Sequence, residues 1–294
     1  MQVKFQRIEA DNDPTNPPRG GTWLMGSALH IFALLAGLAC AAAPQAVALT
    51  REERLVIDYV EPKDRAFVPM RELLMNNRVL ESARDLLAPI RWPRTIRLEL
   101  RDCDGEPNAW YSEGAVTVCY EFVDEMLSNA SSSRRPATIS REDAFIGPLL
   151  DVYLHEAGHA MFELLAIPVL GREEDAADQL AAYYILQLPR ERRRSLIIGS
   201  AYAYASALKV RSARDLKRPR IEFGRHTAHA DEHGTPAQRL YNLLCMAYGS
   251  DKELFADVVS KGYLPESRAE ICEGEYRQVQ KAFEALIVAH IDRP

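Results

Sequence analysis

Apolar positions recur at two different periods along this chain, and the change from one to the other divides it. Up to residue 122 the short period prevails. Residues 53–60 (ERLVIDYV) have strand composition, residues 95–103 (TIRLELRDC) alternate apolar with polar side chains, and residues 115–122 (AVTVCYEF) are β-branched and aromatic, which predicts three strands. Between the first two, FVPMRELLMNNRVLESARDLLAPI spaces its apolar residues as one helix does, until Pro93 intervenes. Residues 129–143 are polar and turn-rich and predict a loop, with Ser140 as the N-cap of the next, long helix. Beyond that loop the helical period takes over and predicts helices over 141–166, 173–188, 189–209, 236–248, 252–261 and 266–290, with Pro189 and Pro236 at first-turn positions. A sheet lobe (about 49–130) followed by a helical lobe (about 141–294) makes one α+β domain over residues 49–294.

Composition agrees with a packed core: 294 residues, 47% of them hydrophobic and 27% charged. The net charge of -6 comes without a sustained block of either sign. The short basic runs at 190–194 and 217–220 read as solvated faces, so nucleic acid is not an expected partner. Residues 22–48 are nearly uncharged and end in Ala46-Val47-Ala48. Residues 1–48 therefore read as a signal peptide cleaved after Ala48, or as a membrane anchor, and the expected location is periplasmic or secreted, with membrane attachment through that segment as the other option. Cleavage would leave Cys103, Cys119, Cys245 and Cys272. Four cysteines in an exported chain suggest two disulfides, and order along the sequence favours Cys103 with Cys119 and Cys245 with Cys272 among three connectivities.

The chemistry concentrates at LHEAGHAMFELLAIPVLGREEDAAD, residues 154–178. Carboxylates and imidazoles on an apolar helix are costly to bury unless something pairs them, and a divalent metal would. His155 and His159 are four apart and project from one helical face toward one Zn²⁺, with Glu156 beside them to accept a proton. Ala157 and Gly158 leave room for close packing. A catalytic zinc needs a third protein ligand. The chain can turn back over residues 167–171, where Pro168 and Gly171 stand, and a helix starting near Arg172 would bring Glu174 opposite His159, with Glu173 or Asp175 as alternative ligands.

An HExxH helix followed by a Glu-x-x-x-Asp helix resembles the gluzincin, thermolysin-like class of zinc metallopeptidases. The resemblance implies a zincin-like fold, Glu174 as third ligand and Asp178 as acceptor for the other ring N–H of His155. Asn108-Ala109-Trp110 is similar to the segment with which those enzymes hold substrate at a sheet edge, making Asn108 and Ala109 substrate-binding candidates. Their oxyanion-stabilising histidine suggests His233, with Arg239 as a weaker candidate. HEAGHA, PVLGREEDAADQ and DEHGTPAQRLYNLLCMAYG together resemble a bacterial metallopeptidase family whose domain has no established function. The sequence thus points to an exported zinc peptidase acting on peptides or proteins through Glu156. A catalytically silent zincin-like binding module, with a structural metal or none, is the alternative.

Overall fold

The computed structural model describes residues 50–208 and 232–292. The leader at residues 1–48, Cys40 and the histidines His226 and His229 lie outside the described residues.

Four strands form one sheet. A helical turn α1 (Arg51–Arg54), capped by Thr50, leads into β1 (Leu55–Tyr59), followed by β2 (Ile96–Arg101), β3 (Ala109–Ser112) and β4 (Ala115–Cys119). The order is β1-β2-β4-β3, with β1 and β4 parallel to β2 and β3 antiparallel to β4 at an edge. The β3–β4 hairpin closes over Glu113 and Gly114, both at positive φ (50° and 84°), the conformation of a two-residue turn that matches strand twist. Leu98, Leu100, Val116 and Val118 are fully buried in the common core.

Besides β3, which was not among the three expected strands, and the helix expected over 252–261, which is confined to Ala256–Ser260, three expectations needed correction. The first strand starts later than residue 53, because Thr50 and Glu53 form a capping box that pulls Arg51–Arg54 into a helical turn. The predicted single helix is two, α2 (Val68–Asn76) and α3 (Val79–Leu87), broken at Arg78, which adopts φ 51° after two asparagines. Asparagines are weak helix formers, and the apolar period alone does not register the break. The strand predicted to run to residue 122 stops at Cys119. There α4 (Tyr120–Ala130) begins, burying Tyr120, Val123, Met126 and Ala130 on one helical stripe.

The described elements beyond α4 are helices: α5 (Arg141–Leu164), α6 (Glu173–Leu186), α7 (Arg190–Ala207), α8 (Pro236–Ser250), the short α9 (Ala256–Ser260) and α10 (Glu266–Leu286), with a 3-10 turn at Val288–His290. Ser140 caps α5 by accepting from the Asp143 N–H, and Pro236 opens α8. Among the described elements helix α5 is central, touching α3, α4, α6, α7, β3 and β4. Its crossing with α7 is so close that a methyl group on Gly147 or Gly199 would meet the partner backbone. Two disulfides, Cys103–Cys119 and Cys245–Cys272, tie the end of β4 to the segment after β2 and α8 to α10. No helix among the described residues is long and apolar enough to cross a membrane.

Candidate metal centre

Helix α5 carries His155, Glu156 and His159 into the interior: His155 is 4% and Glu156 8% exposed. The chain then reverses. The Ile167 N–H donates to the Phe162 carbonyl and the Ala166 N–H to the Glu163 carbonyl, with Ala166 at φ 51°, a Schellman ending that stops α5 and satisfies its last carbonyls. Gly171, at φ 105°, completes the turn into α6. The two helices approach closely where Gly158 faces Ala177: a Cβ on Gly158 would lie 3.3 Å from the Ala177 Cα. That proximity brings the first turn of α6, with Glu173, Glu174 and Asp175, against both histidines.

Each imidazole is held from outside by a carboxylate. Asp178 Oδ1 lies 2.8 Å from His155 Nδ1, and Glu173 Oε1 2.8 Å from His159 Nδ1. An ionised carboxylate only accepts, so each Nδ1 donates its proton and each neutral ring keeps a lone pair on Nε2. Those two Nε2 atoms stand 3.2 Å apart, with Glu174 oxygens 3.1 Å from His155 Nε2 and 3.5 Å from His159 Nε2. Two imidazole nitrogens and the Glu174 carboxylate, Oε2 toward His155 and Oε1 toward His159, thus crowd together, an arrangement that needs positive charge among them. Without metal a proton supplies it. Burial alone would depress the His155 pKa, but hydrogen bonds to Asp178 and Glu174 and the nearby acidic charges outweigh it and raise it to about 9. The same contact with His155 draws Glu174 down to about 2.

The donor set also fits a divalent cation. For a tetrahedral ion with bonds of ~2.0–2.1 Å, neighbouring ligand atoms stand about 3.3–3.4 Å apart. The two Nε2 atoms, 3.2 Å apart, are close to that value, and the Glu174 carboxylate reaches His155 Nε2 through Oε2 at 3.1 Å and His159 Nε2 through Oε1 at 3.5 Å. His155, His159 and Glu174 form a convergent ligand group. The other close set among the described residues, Cys103, Cys119 and Glu121, contains the two sulfurs of a disulfide and is not a ligand group. Of the acids considered from sequence, Glu173 turns to the outer nitrogen of His159 and Glu174 alone joins the cluster. Glu156 is pushed above its ordinary pKa by burial, partly offset by the charges of His155 and His159.

His233, just before α8, places Nε2 2.9 Å from Glu174 Oε2 and stacks on His155 with ring centroids 5.9 Å apart, while remaining half exposed. Asn108 is exposed at the start of the edge strand, its Oδ1 accepting from the Ala109 N–H and its carbonyl from the Cys119 N–H; Ala109 is partly buried. Behind the histidines lies a network whose extent sequence reasoning missed. Arg239 of α8 donates to both oxygens of Asp178, at 2.8 and 2.5 Å, and its guanidinium lies 4.9 Å from the centre of the Tyr204 ring. Tyr204 donates to Asp151, a buried carboxyl one helical turn before His155 whose pKa burial raises to about 6. The available signal was an acid at Asp151 on an apolar helix face, four residues from the first histidine.

Comparison with known proteins adds one match. A family model described as "Putative metallopeptidase" covers residues 59–287. No curated protein and no solved structure matches the chain.

Proposed function

The chain belongs to the metallopeptidase family whose model spans residues 59–287, and from that premise we propose that it is a zinc-dependent peptidase of gluzincin type. The observation that carries the proposal is the convergence of His155 Nε2, His159 Nε2 and a Glu174 carboxylate on one point between α5 and α6. Two nitrogens and one oxygen suit zinc, and three protein ligands leave the fourth tetrahedral corner to solvent or substrate. When bound, the ion supplies Lewis acidity, which polarises a carbonyl and makes water more acidic.

This chain's own residues supply the rest. Glu156 accepts the proton of the attacking water and passes it to the leaving nitrogen, and burial that lifts its pKa suits a group that must both take and return a proton. Asp178 and Glu173 hold the imidazoles in the Nδ1–H form, so that both Nε2 lone pairs face inward. His233, beside Glu174, is placed to stabilise negative charge on the carbonyl oxygen. The outer edge of β3 offers unpaired backbone groups to an extended peptide, with Asn108 and Ala109 at its start. Two disulfides favour an oxidising, extracytoplasmic location.

The test separates the peptidase from a metal-holding binding module. Glu156→Gln should retain the metal of the wild type and lose peptide cleavage by about 10²–10⁴-fold. A variant cleaving at the wild-type rate would remove Glu156 from the mechanism, and a wild type that binds metal yet cleaves no peptide in a broad library would favour the binding module.

A further inference from the structure

Four helices meet behind His155. Asp178 from α6 accepts from His155 Nδ1 on one side and from Arg239 Nε and Nη2 of α8 on the other, at 2.8, 2.8 and 2.5 Å. Arg239 lies over the ring of Tyr204 from α7, and Tyr204 donates at 3.0 Å to Asp151, which returns the circuit to α5. The Arg239 and Asp178 side chains are 19% and 18% exposed, so this is a largely desolvated, two-pronged ion pair. Such a pair fixes a carboxylate in direction as well as in charge. Arg239 engages both oxygens of Asp178, whereas His155 engages one. With the fork removed, the carboxylate would be free to rotate, and the ring it steers would rotate with it.

We propose that Arg239 is a positioning residue for the metal site: by locking Asp178 from behind, it fixes the tautomer and direction of His155, so the site is assembled by α7 and α8 as well as by α5 and α6. This rests on the metal-site reading above and deepens it. Arg239 touches neither the ligand atoms nor the point on which they converge. Its effect passes through Asp178, and Tyr204 holds the guanidinium plane from its other side.

A small cavity lined by Asp151, Asp178, Tyr204, Arg239 and Asn242 lies beside the guanidinium, so truncating Arg239 enlarges an existing space. This makes chemical rescue feasible. Zinc affinity is measured by competition with a chromophoric chelator, and ligand geometry by the visible absorption of the cobalt-substituted protein, for wild type, Arg239→Ala and Arg239→Lys. Arg239→Ala should bind zinc about 10–100-fold more weakly and show an altered cobalt spectrum. Millimolar guanidinium should restore both, whereas sodium chloride of equal ionic strength should not. Arg239→Lys keeps the charge but not the fork, and should also weaken binding at unchanged helix content. Wild-type affinity in Arg239→Ala overturns the proposal, as does a loss that guanidinium leaves untouched. If Arg239→Ala does not fold, Arg239→Lys decides: wild-type affinity and cobalt spectrum overturn it. A wild type that binds no zinc overturns the metal-site reading itself, a result distinguishable from failure of the Arg239 role alone.

Discussion

His155 and His159 each have one nitrogen tied to a carboxylate of α6 and the other facing the centre of the cluster. In the metal-free protein hydrogen bonds to Asp178 and Glu174, working against burial, raise the His155 pKa to about 9, and the contact with His155 lowers that of Glu174 to about 2. The raised His155 pKa contributes stability to the metal-free fold that is fully present below the ordinary value of 6.5 and is lost as pH rises through about 9. The lowered Glu174 pKa contributes stability present above 4.5 and lost only as pH falls through about 2. A metal held by His155 Nε2 would have to displace the proton there. Zinc uptake by stripped protein at pH 7.5 should therefore release roughly one proton, read by calorimetry in buffers of different ionisation enthalpy, and the release should fade above about pH 9. Uptake with no proton release at neutral pH would mean that His155 is already neutral. At this scale the HExxH spacing and the Glu174 to Asp178 interval were legible, because helical periodicity converts intervals of four into shared faces. The circuit from Asp178 through Arg239 and Tyr204 to Asp151 was not, because Tyr204 is 53 residues from Asp151 and Arg239 61 from Asp178, and tertiary contacts over such distances leave no local period.

Between elements, the decisive contact is that of α5 with α6. Gly158, between His155 and His159, meets Ala177 so closely that a Cβ would stand 3.3 Å from the Ala177 Cα and 3.4 Å from its Cβ. A methyl group is at the limit of what small shifts absorb, and a branched side chain has no such room. Gly158→Leu should push α6 outward and separate Glu174 from both imidazoles. The expected result is loss of zinc binding together with a destabilisation of about 1–3 kcal/mol, read by chelator competition and by denaturant unfolding. Retained zinc affinity would show that the small pair does not set the spacing. Sequence made the helices and their reversal legible through Ser140, Pro168 and Gly171 and placed the end of α5 within two residues, but the left-handed turn on Ala166 that stops it was hidden, alanine being a residue type that gives no turn signal. The junction at Cys119 was likewise hidden, since β-branched and aromatic composition runs smoothly from β4 into the helix α4. Burial at intervals of three and four from Tyr120 onward is the helical cue, and it emerges only beyond the point where the strand composition ends.

Across the described residues, the small sheet and the helices share one hydrophobic core, and α5 runs through it with His155 and His159, the proposed ligands, near its C-terminal end. The disulfides close segments separated by 16 and 27 residues, one at the sheet and one between α8 and α10. Each contributes on the order of 3 kcal/mol if loop closure in the unfolded chain dominates. Their pairing was legible because both are between sequence neighbours among the four cysteines. The metal would add a third clasp, between α5 and α6, so the helical half should be where binding and stability are most tightly coupled. The most direct measurement is the zinc bound per chain at equilibrium, compared between the wild type and Glu174→Ala after both are stripped and reloaded. One ion per wild-type chain and a markedly depleted, chelator-sensitive Glu174→Ala is the predicted result. Full occupancy in Glu174→Ala, or no zinc in the wild type, would contradict it.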